Sequence, residues 1–319
     1  MKKLFVALFA IAALAACAKE EIVSLDKGET IQFGNAFVNN ATRAAEATDP
    51  SYSTSGNGTP LTQFNVYGAI GGVNIFSGNT VTKGNAGYGE VWTLTGVKQY
   101  WINGANYKFV GVVDGSKTGV TAITPDASGL PATISYTVDG ATDLLCDVVV
   151  RNAVDGNTDT SIVAFDFTHL LSKVKFSVKN TSTATNYRFV LTSAKLTNVY
   201  KSGVYGVDAD AWTPDATMRE YVLENLTINS NSTQYHSQEV LLIPGSAVGV
   251  YVKADIQASD DNGQTWKKVS DVEKTFTNVV TLAKATAYNF IVELGVGSEI
   301  QFTATEMADW TPNTPNTVL

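Results

Sequence analysis

Alternation is the feature that most limits what this chain can become. In Lys173-Val174-Lys175-Phe176-Ser177-Val178-Lys179 the apolar residues fall on one parity and Lys or Ser on the other, which is the period of a strand with one buried and one wet face. Tyr288, Phe290, Val292 and Leu294 repeat the pattern, as do Ile300, Phe302 and Ala304, and near the start Ile31, Phe33 and Phe37 share a parity. Thr, Val, Tyr and Phe dominate the ordered-looking segments, and these residues suit a pleated surface. Asn103-Gly104, Asp114-Gly115, Asp139-Gly140, Asp155-Gly156 and Asn262-Gly263 separate apolar runs. Each is a signal for a type I′ hairpin, whose two central residues need positive φ. Short, mostly antiparallel strands at this spacing predict an all-β chain of β-sandwiches. With 319 residues, 44% of them hydrophobic, the chain has length and apolar content for two such domains. The least apolar stretch between strong strands, Arg151 to Thr160, predicts a boundary near residue 157, with one sandwich over 44–157 and another over 158–319.

The first residues follow different rules. Lys2 and Lys3 precede an apolar run from Leu4 to Leu14, and Leu14-Ala15-Ala16-Cys17 closes it. The run is too short to span a membrane and has the three parts of a secretory signal. Residues 1–16 resemble a bacterial lipoprotein signal peptide, which implies acylation of Cys17 and a cut before it. The chain would then be held at the membrane by acyl chains, at roughly 0.8 kcal/mol per buried methylene. Ala18-Lys19-Glu20-Glu21 resembles the acidic export signal of surface lipoproteins in Bacteroidetes, and also reads as a solvated tether. With Cys17 lipidated, Cys146 has no partner for a disulfide, and its setting in Leu144-Leu145-Cys146-Asp147-Val148 reads as a buried thiol. Residues 39–60, rich in Asn, Ala, Thr, Ser, Gly and Pro, read as an exposed flexible loop of the kind proteases cut. Arg43, one of only four arginines, stands in it before Ala44.

Catalytic chemistry is thinly supplied. His169 and His236 are the two histidines, and neither has nucleophile-elbow or zincin spacing around it. His169 reads as a structural histidine at a strand end and His236 as a loop residue. Asp208, Asp210 and Asp215, or Asp260 and Asp261, offer oxygen ligands for Ca²⁺, but neither set follows a known loop spacing. Trp92, Tyr100, Trp101 and Tyr107 suit either sugar stacking or a core. A formal charge of −8 without clustered Lys and Arg excludes nucleic acid as a partner. No catalytic residue, metal site or cofactor is nominated, and the chain does not read as an enzyme.

Separated segments together resemble one family. They are Leu14 to Cys17; Ile31-Gln32-Phe33 leading to Ala41-Thr42-Arg43-Ala44; Tyr100-Trp101 with Tyr107-Lys108-Phe109; and Asp143-Leu144-Leu145. Phe165-Asp166-Phe167-Thr168-His169-Leu170-Leu171-Ser172-Lys173-Val174-Lys175-Phe176 follows, then Ile243-Pro244-Gly245, Tyr288-Asn289-Phe290, Ile300-Gln301-Phe302 and Trp310. In this order they resemble the fimbrillins of Bacteroidetes, the subunits of protease-assembled (type V) pili, and their Mfa-like lipoprotein relatives.

That resemblance implies two transthyretin-like β-sandwich domains in a surface-exposed outer-membrane lipoprotein precursor, matured by an Arg-specific surface protease into an extracellular fimbrium. The cut falls after Arg43 and releases residues 17–43, a lipidated propeptide that carries the strand with Ile31, Phe33 and Phe37. The emptied groove is refilled by a strand from another subunit, head to tail. Ile300, Phe302 and Ala304 are the candidate donor strand. The tail beyond Trp310 is polar and broken by Pro312 and Pro315, which favours a tip or accessory subunit that accepts a strand and donates none. The alternative function is a stationary surface lipoprotein that binds glycan or a host ligand without polymerising.

Overall fold

The computed structural model describes residues 29–38, 61–84, 92–114, 119–152, 162–222, 227–228 and 236–307. Every regular element among them is a strand. The first nine are β1 (Phe33–Val38), β2 (Gln63–Ile70), β3 (Val73–Lys83), β4 (Trp92–Leu94), β5 (Asn106–Val113), β6 (Val120–Pro125), β7 (Pro131–Thr137), β8 (Leu145–Asn152) and β9 (Val163–His169). There follow β10 (Ser172–Asn180), β11 (Tyr187–Tyr200), β12 (Ser202–Gly206), β13 (Ala211–Pro214), β14 (Met218–Val222) and β15 (Thr227–Ile228). The last are β16 (His236–Leu242), β17 (Ala247–Ala258), β18 (Lys267–Thr281), β19 (Ala287–Leu294) and β20 (Gln301–Met307).

Seven strands form one sheet in the order β1-β9-β8-β5-β2-β3-β4. Its twist curls it until the edges approach, so that β1 lies against β4. Just before β1, Ile31 donates its amide to Gln99 and Trp101 donates to Glu29, at 2.9 Å each. The concave side is aromatic, with Phe33, Phe64, Phe76, Phe109, Phe165 and Phe167 in one cluster. Such a density of rings requires gaps in the wall. A Cβ on Gly111 would stand 2.8 Å from Phe167 and 2.9 Å from Phe165, and one on Gly68 2.7 Å from Phe76. Glycine is the residue that lets the rings reach the backbone there.

The opposite parity of β5 serves a second core. Val110 and Val112 join Ile134 and Tyr136 of β7 and Tyr205 of β12, where the sheet β13-β12-β7-β6 covers the convex face. The same core continues between the sheets β16-β10-β19-β20 and β14-β11-β17-β18, which bury Phe176, Phe290, Leu196 and Val250 between them. Among the described pairs only β1–β9 and β10–β19 run parallel, so the predicted all-β, mostly antiparallel architecture is the observed one.

The halves of the chain are interlocked. The β12–β13 hairpin sits in sequence between β11 and β14, yet it pairs with β7, from Ser202 opposite Thr137 to Gly206 opposite Thr133. Trp212 on this hairpin donates its indole N–H to Leu170 at 2.7 Å, and Lys108 reaches Asp208 at 2.6 Å. Residue 157, the predicted boundary, lies outside the described residues, and β8 and β9 on either side of it pair with each other.

Turn chemistry departs from the sequence reading in one respect. Among the described Asn/Asp–Gly pairs, Asn262-Gly263 alone has both φ values positive, and it lies within a longer β17–β18 connection. At Asn103-Gly104 and Asp139-Gly140 only the glycine is left-handed. The Asp139 carboxylate accepts from the amides of Ala141 and Thr142 instead, so the turn is built by a side chain. The two-residue hairpin with both φ positive is Gly71-Gly72, between β2 and β3.

Candidate functional site: the first strand and its groove

The site with the most built-in chemistry is the seat of β1. Ile31 and Phe33 are both only 4% exposed, and Gln32 between them faces solvent. The Phe33 ring lies 5.4 Å from Phe76 and 5.6 Å from Phe109, both edge-on, and stacks on Phe165 at 6.2 Å. Along the ladder Phe33 stands opposite Val163 and Gly34 opposite Ala164, and Val163 donates its amide to Gln32 at 2.9 Å. Among the described strands β9 alone is hydrogen-bonded to β1. The seat therefore combines apolar pockets with a backbone ladder on β9 and a short bridge to Gln99 and Trp101 at its start.

A bulge interrupts the alternation of the predicted strand after Gly34. Between Gly34 and Phe37 the register slips, because Asn35 and Ala36 together lie across from the single residue Phe165. Phe37 stands opposite Asp166. Ala36, 3% exposed, takes the core position. Hydrophobic period alone carries no signature of such a bulge, so alternation does not foresee Ala36 in the core. Cys17, Arg43 and Ala44 lie outside the described residues, a short way to either side of β1 in the chain.

The candidate donor segment lies in a different sheet from β1. Among the described strands β20 is the outer one of its sheet and pairs with β19 alone. Ile300, just before it, is buried, and Phe302 and Ala304 are half-buried on one face. Phe302 meets Phe290 at 5.4 Å and Phe276 at 5.3 Å.

Other residues singled out by sequence have structural occupations. His169 ends β9 fully buried, with Nδ1 2.6 Å from Oδ2 of Asp143, whose Oδ1 accepts from the amide of Leu144. His236 opens β16 opposite Val178 rather than lying in a loop, because pairing with β10 overrides its polar neighbours. Cys146 is buried, and desolvation pushes its thiol up to about 12, which keeps it protonated. Asp208 pairs with Lys108; Asp210 accepts from Lys284 and Tyr205; Asp215 accepts from Ser202. Asp261 accepts from Ser259 and Thr265 within its own loop, and those bonds hold its carboxyl well below the usual range. Among the described residues no group of three His, Cys, Asp or Glu side chains is placed to hold a metal ion. Trp92, Trp101 and Tyr107 face the aromatic interior, and of the four aromatic candidates only Tyr100 is exposed. A cleft of about 440 Å³ does open on the convex side, lined by Tyr67, Asn74, Ser77, Ile123, Pro125 and Pro131. Asn74 closes one end of it by donating to Gly129 at 3.2 Å.

A family model described as fimbrillin-like matches residues 42–310. No curated protein matches the chain. Among solved structures the chain is similar to a fimbrial protein from Bacteroides vulgatus, with 17% identity, a TM-score of 0.58, and coverage of 88% of this chain and 99% of that one. It is also similar to a candidate cell adhesion protein from Bacteroides uniformis, with 15% identity, a TM-score of 0.51, and coverage of 82% and 94%. A third, from Bacteroides ovatus and of the same description, has 14% identity, a TM-score of 0.50, and coverage of 89% and 98%. At these identities the likeness is one of fold.

Proposed function

Because the chain belongs to the fimbrillin-like family, we propose that it is a structural, adhesive subunit of a surface fimbrium, activated when a protease removes its first strand. It is a fimbrial protein and not an enzyme. In this reading residues 1–16 direct export, Cys17 is lipidated and holds the precursor in the outer membrane, and an Arg-specific surface protease cuts between Arg43 and Ala44. The observation that carries the reading is the seat of β1. A strand upstream of Arg43 fills the aromatic interior of a curled sheet, laddered to β9 and joined just before its start to Gln99 and Trp101.

Its removal has a calculable consequence. Withdrawing Ile31 and Phe33 forfeits roughly 1.5–3 kcal/mol for each side chain. It also bares Phe76, Phe109 and Phe165 and orphans the ladder groups of β9. A groove in that state is refilled by a strand of another subunit, whose backbone restores the ladder and whose alternate side chains enter the pockets. Donor and groove lie on different surfaces, so the contact is head to tail and builds a filament. A subunit that only accepts a strand belongs at a tip or accessory position; one that also donates belongs in the shaft.

The test is maturation of soluble precursor begun at Ala18. Arg-specific protease is expected to yield a chain starting at Ala44 that forms higher oligomers, while Arg43→Ala stays uncut and monomeric. Oligomers of the uncut variant would end the proposal. The second reading, a stationary surface lipoprotein that binds glycan or a host ligand, is favoured only by the cleft beside Tyr67. Tyr67→Ala that loses glycan binding with its fold intact would support it.

A further inference from the structure

The cleft on the convex side is shaped in advance. Tyr67 stands on β2, Asn74 and Ser77 on β3, Ile123 and Pro125 on β6, and Pro131 at the start of β7. β3 bulges at Gly78, where φ is +83° and a Cβ would stand 2.9 Å from the Tyr67 hydroxyl, so glycine leaves that ring its place. The opposite rim is held by Asp126, whose carboxylate accepts from the Ser128 amide at 2.8 Å and the Leu130 amide at 3.0 Å. A tyrosine ring with its hydroxyl, set beside two prolines, suits a polyproline II segment. Such a segment packs proline rings on the aromatic face and offers unpaired carbonyls to the donor.

We propose that the occupant is the chain's own tail, with Pro312-Asn313-Thr314-Pro315 lying in this cleft as a polyproline II segment. These residues have the Pro-x-x-Pro spacing of such ligands. They lie outside the described residues and beyond the segment matched by the family model. The place where β20 ends favours the contact. Met307 stands opposite Ala287, and Lys284, three residues earlier, donates to Asp210 on the β12–β13 turn. Val207, at the start of that turn, donates its amide to Ala132 at 3.0 Å, next to Pro131 on the cleft wall. From β12 across β7 to β6 is two strand spacings, roughly 10 Å. Pro315 is eight residues beyond Met307, roughly 25 Å of polyproline II chain at about 3.1 Å each. Neither residues 310–319 nor the residues lining the cleft carry a charged side chain, so docking desolvates none on either side. A seated tail excludes other ligands from the cleft. The inference stands apart from the strand-replacement reading and needs no second copy.

The experiment uses soluble precursor begun at Ala18, in which Cys146 is buried, with Ser77→Cys on the exposed cleft wall as the accessible thiol. In the full chain this thiol is expected to react with a maleimide about tenfold more slowly than in the same chain carrying Pro312→Ala and Pro315→Ala, the protection given by a segment of about 0.1 mM affinity at an effective concentration of about 1 mM. Cys146 staying unreactive in both checks the fold. A second variant, Ser77→Cys with Thr314→Cys, is expected to close a disulfide within one chain under mild oxidation. Equal labelling rates with and without the two prolines would overturn the inference, as would failure of the second variant to cross-link. Disulfide-linked dimers in place of cross-linked monomers would show that the cleft takes the tail of another copy, and would overturn the assignment to the chain's own.

Discussion

Truncating Phe33 to Ala isolates the energetics of the β1 seat. The ring is 4% exposed and packs on Phe76, Phe109 and Phe165. Phe→Ala in a packed core costs about 3–5 kcal/mol, transfer and cavity together. β1 lies at a sheet edge, held by its ladder on β9 and, just before it, by the short bridge of residues 29–31 to Gln99 and Trp101, so the loss falls on the docking of this strand before it falls on the whole chain. At about 3 kcal/mol the detached population rises roughly a hundredfold. Hydrogen exchange reads this directly. The amides of Ile31, Trp101 and Val163 bond to Gln99, Glu29 and Gln32 respectively, and all three bonds open when residues 29–38 lift away. Their exchange should accelerate by about two orders of magnitude, while amides of β5 keep their protection. Gln32→Ala, at the solvent-facing position between the two buried residues, should change little. Acceleration under about tenfold, or an equal acceleration in β5, would refute the claim that β1 is a separately removable element.

Three further outcomes follow from the packing. Gly111→Ala drives a methyl to within 2.9 Å of both Phe165 and Phe167, and should cost about 1–3 kcal/mol in denaturant unfolding as the rings are pushed apart. Ala285 holds φ at +54°; left-handed backbone costs an L-residue about 1–2 kcal/mol, and Gly gives back part of that in unfolded-state entropy. Ala285→Gly should therefore raise the unfolding free energy by a few tenths to about 1 kcal/mol, measured against Gly245→Ala, at a glycine with φ +85°, which should lower it. Cys146, its thiol pushed up to about 12 by burial, should resist thiol reagents at pH 8 in the folded protein and react once denatured; labelling of the native chain would contradict the burial.

How much of this was legible in the sequence depends on the range of the interaction. Residues 173–179 announce β10 because alternation is local, and Tyr288 to Leu294 announce β19 for the same reason. The Gly71-Gly72 hairpin carries a local signal as well, since both positions need left-handed φ, and a search limited to Asn-Gly and Asp-Gly passes over it. The identity of the third core residue of β1 was not legible. Ala36 enters the core because β9 fixes the register from outside the segment. His236 became a strand residue for a like reason, with β10 supplying the ladder. Nor does composition reveal that Gly68 and Gly111 line an aromatic interior. Each is an ordinary glycine until Phe76, Phe165 and Phe167 arrive from other strands. The seat of β1 was foreseen as a strand, and its walls came only from tertiary structure.

The interlocking of the two halves gives the proposed assembly a mechanical consequence. A groove at β9 and a donor at β20 lie in different sheets, so tension along a head-to-tail filament must cross each subunit from one to the other. A plain linker between sandwiches would carry that load through a single backbone. Here the β12–β13 hairpin spans the junction, with its ladder on β7, the Trp212 bond to Leu170 and the Lys284 contact to Asp210 acting side by side. Arg219 adds a bond to the carbonyl of Val138 at 2.7 Å. Parting the halves requires stripping a strand from a four-stranded sheet and exposing Tyr136 and Tyr205, which lie in its core. The load is thereby shared among many bonds that must break together, whereas β1 is held by its ladder on β9 and the short bridge just before it. The same fold thus makes its first strand the element that yields, and its junction the element that holds.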